Sequence, residues 1–243
     1  MVGVLYICTG KYVMFWEKFF ISAEKYFLPS QEKTYFVFTD AEEIYGEENS
    51  NVKRIYQKSL GWPYNTLMRF EVFLKAENQL KQCDYLFFLN ANTQILAPVE
   101  DDILPGEDND GLLAVNHPNF WDKSPDVFPY ERSSESSAFI EHGDGRYYMM
   151  GAFNGGESEA FLQLIRTCKE NIDKDLEKGL IAIYWDESHL NHYLLHRNPL
   201  VLTPSYLYPE DYDLPFEPKV LIIDKLKLGG HDFLRGLTET KYP

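Results

Sequence analysis

Tyr85-Leu-Phe-Phe-Leu-Asn-Ala-Asn-Thr-Gln-Ile-Leu96 is the stretch whose reading decides the fold. Its first five residues carry no charge, the composition of a strand covered on both faces at the centre of a parallel sheet. Asn90 and Asn92 follow two positions apart, and the two-residue repeat of an extended chain aims both carboxamides the same way. Ligands of open α/β sheets sit beyond the carboxyl ends of the strands, where this pair falls. Asparagine is also common in turns, so Asn-Ala-Asn reads equally well as the start of a loop.

Working outward, the same pattern recurs. Val2 to Gly10 and Thr34 to Asp40 are apolar strands ending in polar residues, and Val52 to Tyr56 is a short strand. Between the first two, Met14 to Phe27 interleaves apolar Phe15, Phe19, Ile21, Ala23 and Phe27 with Lys and Glu, as an amphipathic helix does. The Gly-x-Gly-x-x-Gly fingerprint is absent, which argues against a dinucleotide site. A helix starts in Gly61 to Phe70, with Pro63 suited to its first turn. Both faces of it are apolar, and Arg69 shares one with Thr66 and Phe73. A charge so placed calls for an anionic partner, unless the stem merely covers apolar surface. Gly111 to Pro118 is a strand ending near His117, and residues 119–146 form a long irregular excursion of the kind that is often functional. Tyr147 to Gly156 is a strand whose Gly151 and Ala152 leave the backbone approachable. Ser158 to Lys178 is a helix. Strands alternating with helices predict one α/β domain over residues 1–243, with a mixed, mainly parallel sheet flanked by helices.

A formal charge of −15 with 23 Lys and Arg against 38 Asp and Glu leaves no dense basic surface for phosphates of nucleic acid. The three cysteines, Cys8, Cys83 and Cys168, are widely spaced and fit a reducing compartment, so the chain is expected to be cytoplasmic. No apolar run approaches the ~18 residues of a membrane span, and any targeting segment is expected to be removed or absent.

Two later stretches carry candidate chemistry. In Ile181 to His196, a helix capped near Asp186 puts His189, His192 and His196 on one polar face, where they are expected to be solvent-exposed, and turns Glu187 toward the apolar side. A carboxylate aimed inward must be paired or used in chemistry, which makes Glu187 the catalytic candidate. Past the strand at Val220 to Lys225, the segment with Lys227, Gly229, Gly230, His231 and Arg235 reads first as a frayed terminus, and otherwise as a tail closing over phosphate.

Tyr130-Glu-Arg132, Glu135-Ser-x-Ala-Phe-Ile140, Tyr147-Tyr148, Gly155-Gly156 and above all Trp185-Asp-Glu-Ser-His-Leu-Asn191 together resemble the family 6 glycosyltransferases, which include the mammalian ABO blood-group transferases and bacterial relatives. The resemblance runs over nearly the whole chain and is nearest to the bacterial α-1,3-N-acetylgalactosaminyltransferases. It implies a GT-A fold, a UDP-sugar donor, a galactoside acceptor and transfer with retention to an α-1,3 linkage. The implied donor is UDP-N-acetylgalactosamine, with UDP-galactose as the alternative. The implied acceptor carries α-1,2-fucose, as 2′-fucosyllactose does. A sugar-binding module without turnover is a competing class, and a glycoside hydrolase using Asp186 and Glu187 a weaker one.

Residue by residue, the resemblance places Ile7, Cys8, Thr9 and Tyr12 on the uridine, and Trp62, Thr66 and Arg69 on the donor sugar or phosphate. Where animal members hold manganese with Asp-x-Asp, this chain has Asn90, Ala91 and Asn92, which implies catalysis with no metal cofactor. The lost positive charge then comes from Lys227 and Arg235. Met150, Gly151 and Ala152 form the triplet that tunes galactose against N-acetylgalactosamine, here in a galactose-like form. Asp186 binds donor sugar, His117 and Tyr184 contact the acceptor, and Glu187 is catalytic. Ser133, Ser134 and Asn119-Phe120 depart from the family's acceptor side.

Overall fold

Seven strands form the central sheet of the computed structural model, which describes residues 1–238. In spatial order they are β3 (Val52–Tyr56), β2 (Lys33–Thr39), β1 (Val2–Ile7), β4 (Tyr85–Leu89), β7 (Met149–Glu157), β6 (Leu112–Asn116) and β8 (Leu200–Leu202). All neighbouring pairs are parallel except those of β7, which runs antiparallel to both β4 and β6. This mixed, mainly parallel sheet flanked by helices is the expected GT-A-like arrangement.

The apolar run at Tyr85 does occupy the middle. Phe87 and Leu89 pack into the layer of α1 (Trp16–Tyr26), whereas Leu86 and Phe88 face α3 (Arg69–Leu74) and α5 (Ser158–Glu177). Ring contacts mark the two sides, Phe27 against Phe87 at 5.8 Å and Phe73 against Phe88 at 5.3 Å. A strand buried on both faces cannot alternate apolar with polar, hence the continuous run. Opposite Phe87 of β4 lies Gly155 of β7, where a Cβ would stand 2.2 Å from the Leu86 carbonyl oxygen, so only glycine fits that crossing.

A second, three-stranded sheet of β5 (Thr93–Ile95), β10 (Val220–Ile222) and β9 (Tyr208–Pro209) sits past the end of β4 and draws the C-terminal segment to it. That segment continues as a 3-10 turn, Lys225–Leu228, and α7 (Gly230–Leu234), with Leu234 buried in the core. The leading expectation of a frayed terminus is thereby corrected: apolar burial of Leu234 holds the tail down. Two helices also differ from expectation. The first begins as a 3-10 turn, Gly10–Phe15, and the helix after Gly61 breaks into α2 (Tyr64–Leu67), α3 and α4 (Glu77–Leu80), with Met68 and Ala76 leaving helical geometry between them. Among the described residues no helix is long and apolar enough to cross a membrane.

Candidate active site

Beyond the carboxyl ends of β1 and β4 opens a cavity of about 380 Å³, within the range of small-molecule sites. Ile7, Thr9 and Tyr12 line it from the β1 side, Trp62, Thr66 and Arg69 from the α2–α3 side, and Asn90 and Ala91 from the end of β4. Cys8 is the exception in its group. Strand alternation points it away from Ile7 and Thr9 into the core, where burial pushes its thiol up to about 12.

The tail supplies the remaining wall through Lys225, His231 and Arg235, and Arg235 lays its guanidinium 3.6 Å from the centroid of Trp62. Lys227 is not there. Its ammonium is exposed and pairs with Glu210 at 3.2 Å and Asp211 at 2.6 Å, so the cation that faces the cavity is Lys225, two residues earlier. Burial and the neighbouring Arg235 and Arg69 push the Lys225 ammonium down to about 8. Arg69, Lys225 and Arg235 thus meet in one cavity whose described walls include no Asp or Glu. In a chain of formal charge −15, that local excess of cations marks a place for an anion.

A smaller cavity of about 140 Å³ adjoins the first and shares Thr66, Arg69, Asn90 and Trp185 with it. Its other walls are Met150, Gly151 and Ala152 of β7 and Tyr184, Asp186 and Glu187 at the start of α6 (Trp185–Leu194). Trp185 opens that helix in the left-handed region at φ 51°, a conformation that costs a bulky L-residue on the order of 1 kcal/mol and persists only when its surroundings enforce it. Here its indole is wedged against Trp62 at 4.3 Å.

Asp186 is not an N-cap, since Tyr184 holds that position. Its carboxylate is buried and forms an ion pair with Arg69, Oδ2 to Nη1 at 2.8 Å, the anionic partner that the buried arginine required. Burial raises the Asp186 carboxyl while Arg69 pulls it back. The same Nη1 donates to the Gly151 carbonyl at 2.6 Å. Gly151 in turn donates its N–H to Glu187 Oε2 at 2.7 Å, and the Tyr148 hydroxyl donates to Glu187 Oε1 at 2.8 Å. Burial lifts the Glu187 carboxyl to about 7 against both hydrogen bonds, so near neutrality it exchanges a proton readily. A half-buried carboxylate, fixed through both oxygens and open to a cavity beside a cation-lined one, can attack or stabilise an electron-poor carbon. Asp186 and Glu187 do not face each other across a gap, because Asp186 is bound up with Arg69; the opposed pair of a hydrolase is absent from them.

The asparagines are bound as closely. Asn90 Nδ2 donates to Asn92 Oδ1 at 2.9 Å, and Asn92 Nδ2 donates to the Ile223 carbonyl at 2.9 Å, fastening the end of β4 to the C-terminal segment. Asn90 faces both cavities, whereas Asn92 lines neither and instead borders a third hollow with Glu210, Asp211 and Lys225.

His117 lies outside both cavities, its ring 5.6 Å from that of Tyr148, and burial pushes its imidazole down to about 4. It reaches Glu187 only through Tyr148. His189 corrects the expected exposed histidine face: it is buried, 3.8 Å from Asp175, whose carboxylate also accepts from Ser136 and Ser137 of the excursion. His192 is half-buried against the Phe139 carbonyl, and His196 is exposed. Among the described residues no group of three or more His, Cys, Asp or Glu is arranged to hold a metal ion. Asn65, Phe88, Trp185 and Lys225 also line the cavity without having been expected there, and His231 was expected only as part of the tail; Trp185 next to Asp186 and the lysine two before Lys227 were the signals present in the sequence.

The glycosyltransferase family 6 description matches residues 1–229. The O-antigen biosynthesis glycosyltransferase WbnI of Escherichia coli is 36% identical over 93% of this chain and 95% of its own length. The globoside alpha-1,3-N-acetylgalactosaminyltransferase 1 of Gallus gallus is 30% identical over 91% of the chain, and the histo-blood group ABO system transferase 2 of Rattus norvegicus is 30% identical over 86%. The chain spans 65% and 64% of the length of these two animal proteins. With a cation-lined cavity beside a buffered carboxylate on a GT-A-like sheet, and a match over almost its whole length, this chain belongs to glycosyltransferase family 6 and is a hexosyltransferase.

Proposed function

We propose that the protein transfers N-acetylgalactosamine from UDP to the 3-hydroxyl of a galactose unit, with retention of the α configuration and without a divalent metal, and that the acceptor galactose carries α-1,2-fucose. The observation that carries the reaction is Glu187, its carboxylate held through both oxygens in the wall of the smaller cavity, which adjoins the cation-lined one. In a double displacement Glu187 attacks the anomeric carbon as UDP leaves, and the acceptor hydroxyl then displaces it. In front-face attack it stabilises the oxocarbenium-like state instead. The names of the chicken and rat relatives, an α-1,3-N-acetylgalactosaminyltransferase and a blood-group transferase, support the donor, linkage and acceptor class. A UDP-galactose donor is the second reading, favoured by the galactose-like form of the Met150, Gly151 and Ala152 triplet, which lines the small cavity.

Metal independence is supported by the donor set at the end of β4. Neutral amides are poor ligands for a hard dication compared with carboxylates, and Asn92 Oδ1 is already occupied by Asn90. The residues there do not fit manganese. Arg69, Lys225 and Arg235 are instead placed to neutralise the departing diphosphate. UDP release measured in excess chelator, with each donor and with 2′-fucosyllactose or lactose, tests these points together. Release from UDP-N-acetylgalactosamine that needs the fucosylated acceptor is the expected result; turnover only after manganese is added would end the metal-free reading.

Lys225→Met is expected to weaken UDP binding about tenfold or more, the scale of one charge-assisted contact, while Lys227→Met leaves Kd within about twofold. Because Lys225 loses its proton near pH 8, wild-type affinity for UDP should decline above that pH, and the decline should vanish in Lys225→Met. Calorimetric titration of UDP from pH 6 to 9.5 reads both effects. Equal losses in the two variants would show that the tail binds through its net charge rather than through this lysine.

A further inference from the structure

Resting on that reading of Glu187, we propose that Tyr148 is a positioning residue for the transfer: its hydroxyl fixes the carboxylate of Glu187 and sets which oxygen faces the donor sugar. A glutamate side chain has three free torsions, and a cavity-facing carboxylate with one donor can swing. Here the two oxygens are held by donors on neighbouring positions of one segment, Tyr148 just before β7 and Gly151 within it. The spacing between that segment and α6 is fixed by Asn191, whose Oδ1 accepts from Met149 N at 2.8 Å and whose Nδ2 donates to the carbonyls of Met149 and Glu187, each at 2.9 Å.

What keeps the phenol in place is the excursion at residues 119–146. Phe128, Tyr130 and Ile140 form with Tyr148 a small core apart from the two main ones, and Phe120 and Tyr130 lie 5.1 and 5.5 Å from its ring. The excursion therefore has a task at the site although its residues do not line either cavity. Burial and the nearby Glu187 push the Tyr148 hydroxyl far above its ordinary range, so it is a donor at every working pH and cannot act as the base. Nor does it line the walls where donor sugar would sit, which confines its influence to Glu187.

The charged and titratable groups facing Glu187 are Tyr148 before β7, Arg69 of α3 and Asp186 on its own helix. Tyr148 and Arg69 favour the ionised form and Asp186 opposes it. Deleting the hydroxyl should free the carboxylate and raise the pH at which it ionises.

Tyr148→Phe is expected to lower kcat about 10- to 100-fold with the donor KM within about twofold, and to move the acid limb of kcat upward by about one pH unit. Phe128→Leu, which loosens the same aromatic cluster but keeps the hydroxyl, should move that limb by clearly less than Tyr148→Phe does. Where Tyr148→Phe folds poorly, 3-fluorotyrosine at position 148 keeps the ring and strengthens the donor, and should shift the limb downward. An unmoved limb with kcat within about twofold in Tyr148→Phe, or an unmoved limb in the fluorinated protein, overturns the proposal, as does an equal shift in Phe128→Leu. If Tyr148→Phe is unaffected while Glu187→Gln is inactive, only the positioning role falls. If Glu187→Gln turns over normally, the assignment of Glu187 falls and this inference with it.

Discussion

Glu187→Gln should lower kcat for sugar transfer on the order of a thousandfold or more while leaving Kd for UDP within about threefold. The change removes one negative charge and almost no volume. A carboxamide is neither a nucleophile for the anomeric carbon nor a counter-charge for an oxocarbenium-like state, so both routes fail together. UDP itself lies against Arg69, Lys225 and Arg235 in the proposed pose, which the substitution leaves in place. One local mismatch follows: Tyr148 and Gly151 each donate to a separate oxygen, and the amide offers only one acceptor, leaving a donor facing an NH₂ at a cost of about 1–3 kcal/mol. A thermal melt should therefore drop modestly without loss of fold. The wild type supplies the matching pH test. With Glu187 lifted to about 7, protonation below that pH removes the charge that the substitution removes permanently, so kcat should fall as the solution is acidified. Full turnover by the glutamine variant with bound donor would refute the assignment.

The parts legible in advance share a physical reason: their partners are dictated by local pattern. Five uncharged residues before Asn90 call for cover on both faces, and Leu86 to Leu89 are buried while Tyr85 at the strand's start is half-buried. Glu187 and Arg69 were exposed as candidates by charge on an apolar helix face, and each found the hydrogen-bonding or ionic partner that burial demands. What stayed hidden depends on contacts distant in sequence. Lys225 and Lys227 flank one residue of a 3-10 turn, and which of them turns inward is decided by Glu210 and Asp211 capturing the second. His189 is buried because α6 packs on α5 and brings it to Asp175, which periodicity on α6 alone assigns to solvent. The breaks at Met68 and Ala76 have neither Gly nor Pro to announce them, and β8 and β9 are too short for any period to show without the partner strands that create them. The tail folds because Leu234 finds the core and Phe233 lies under Lys11, a pairing between the two ends of the chain.

Arg69→Met should destabilise the fold by about 3–5 kcal/mol and abolish measurable transfer, because it strands a buried carboxylate. Asp186 is only 2% exposed, and Arg69 is the cation beside it at 2.8 Å. The Gly151 carbonyl also loses its arginine donor but keeps the Asn154 amide at 3.1 Å, so the cost comes mainly from the orphaned charge. The sign with pH follows. In the variant Asp186 has a folded ionisation point raised well above its unfolded one, so its penalty is absent below the unfolded value, about 4, and grows as pH rises toward the folded one. The stability gap to wild type should then be widest near neutrality and narrow in acid. Arg69→Met combined with Asp186→Leu removes the charge with its partner and should recover most of the lost stability, since replacing both members of a buried pair is often neutral. It should not recover activity: Arg69 also lines the cation cavity and anchors the Gly151 backbone whose N–H holds Glu187. Denaturant titrations at pH 7.5 and 5 with UDP-release assays separate the two roles. A double variant that regained turnover would mean that Arg69 serves only to neutralise Asp186, and the donor contact assigned to it would have to be given up.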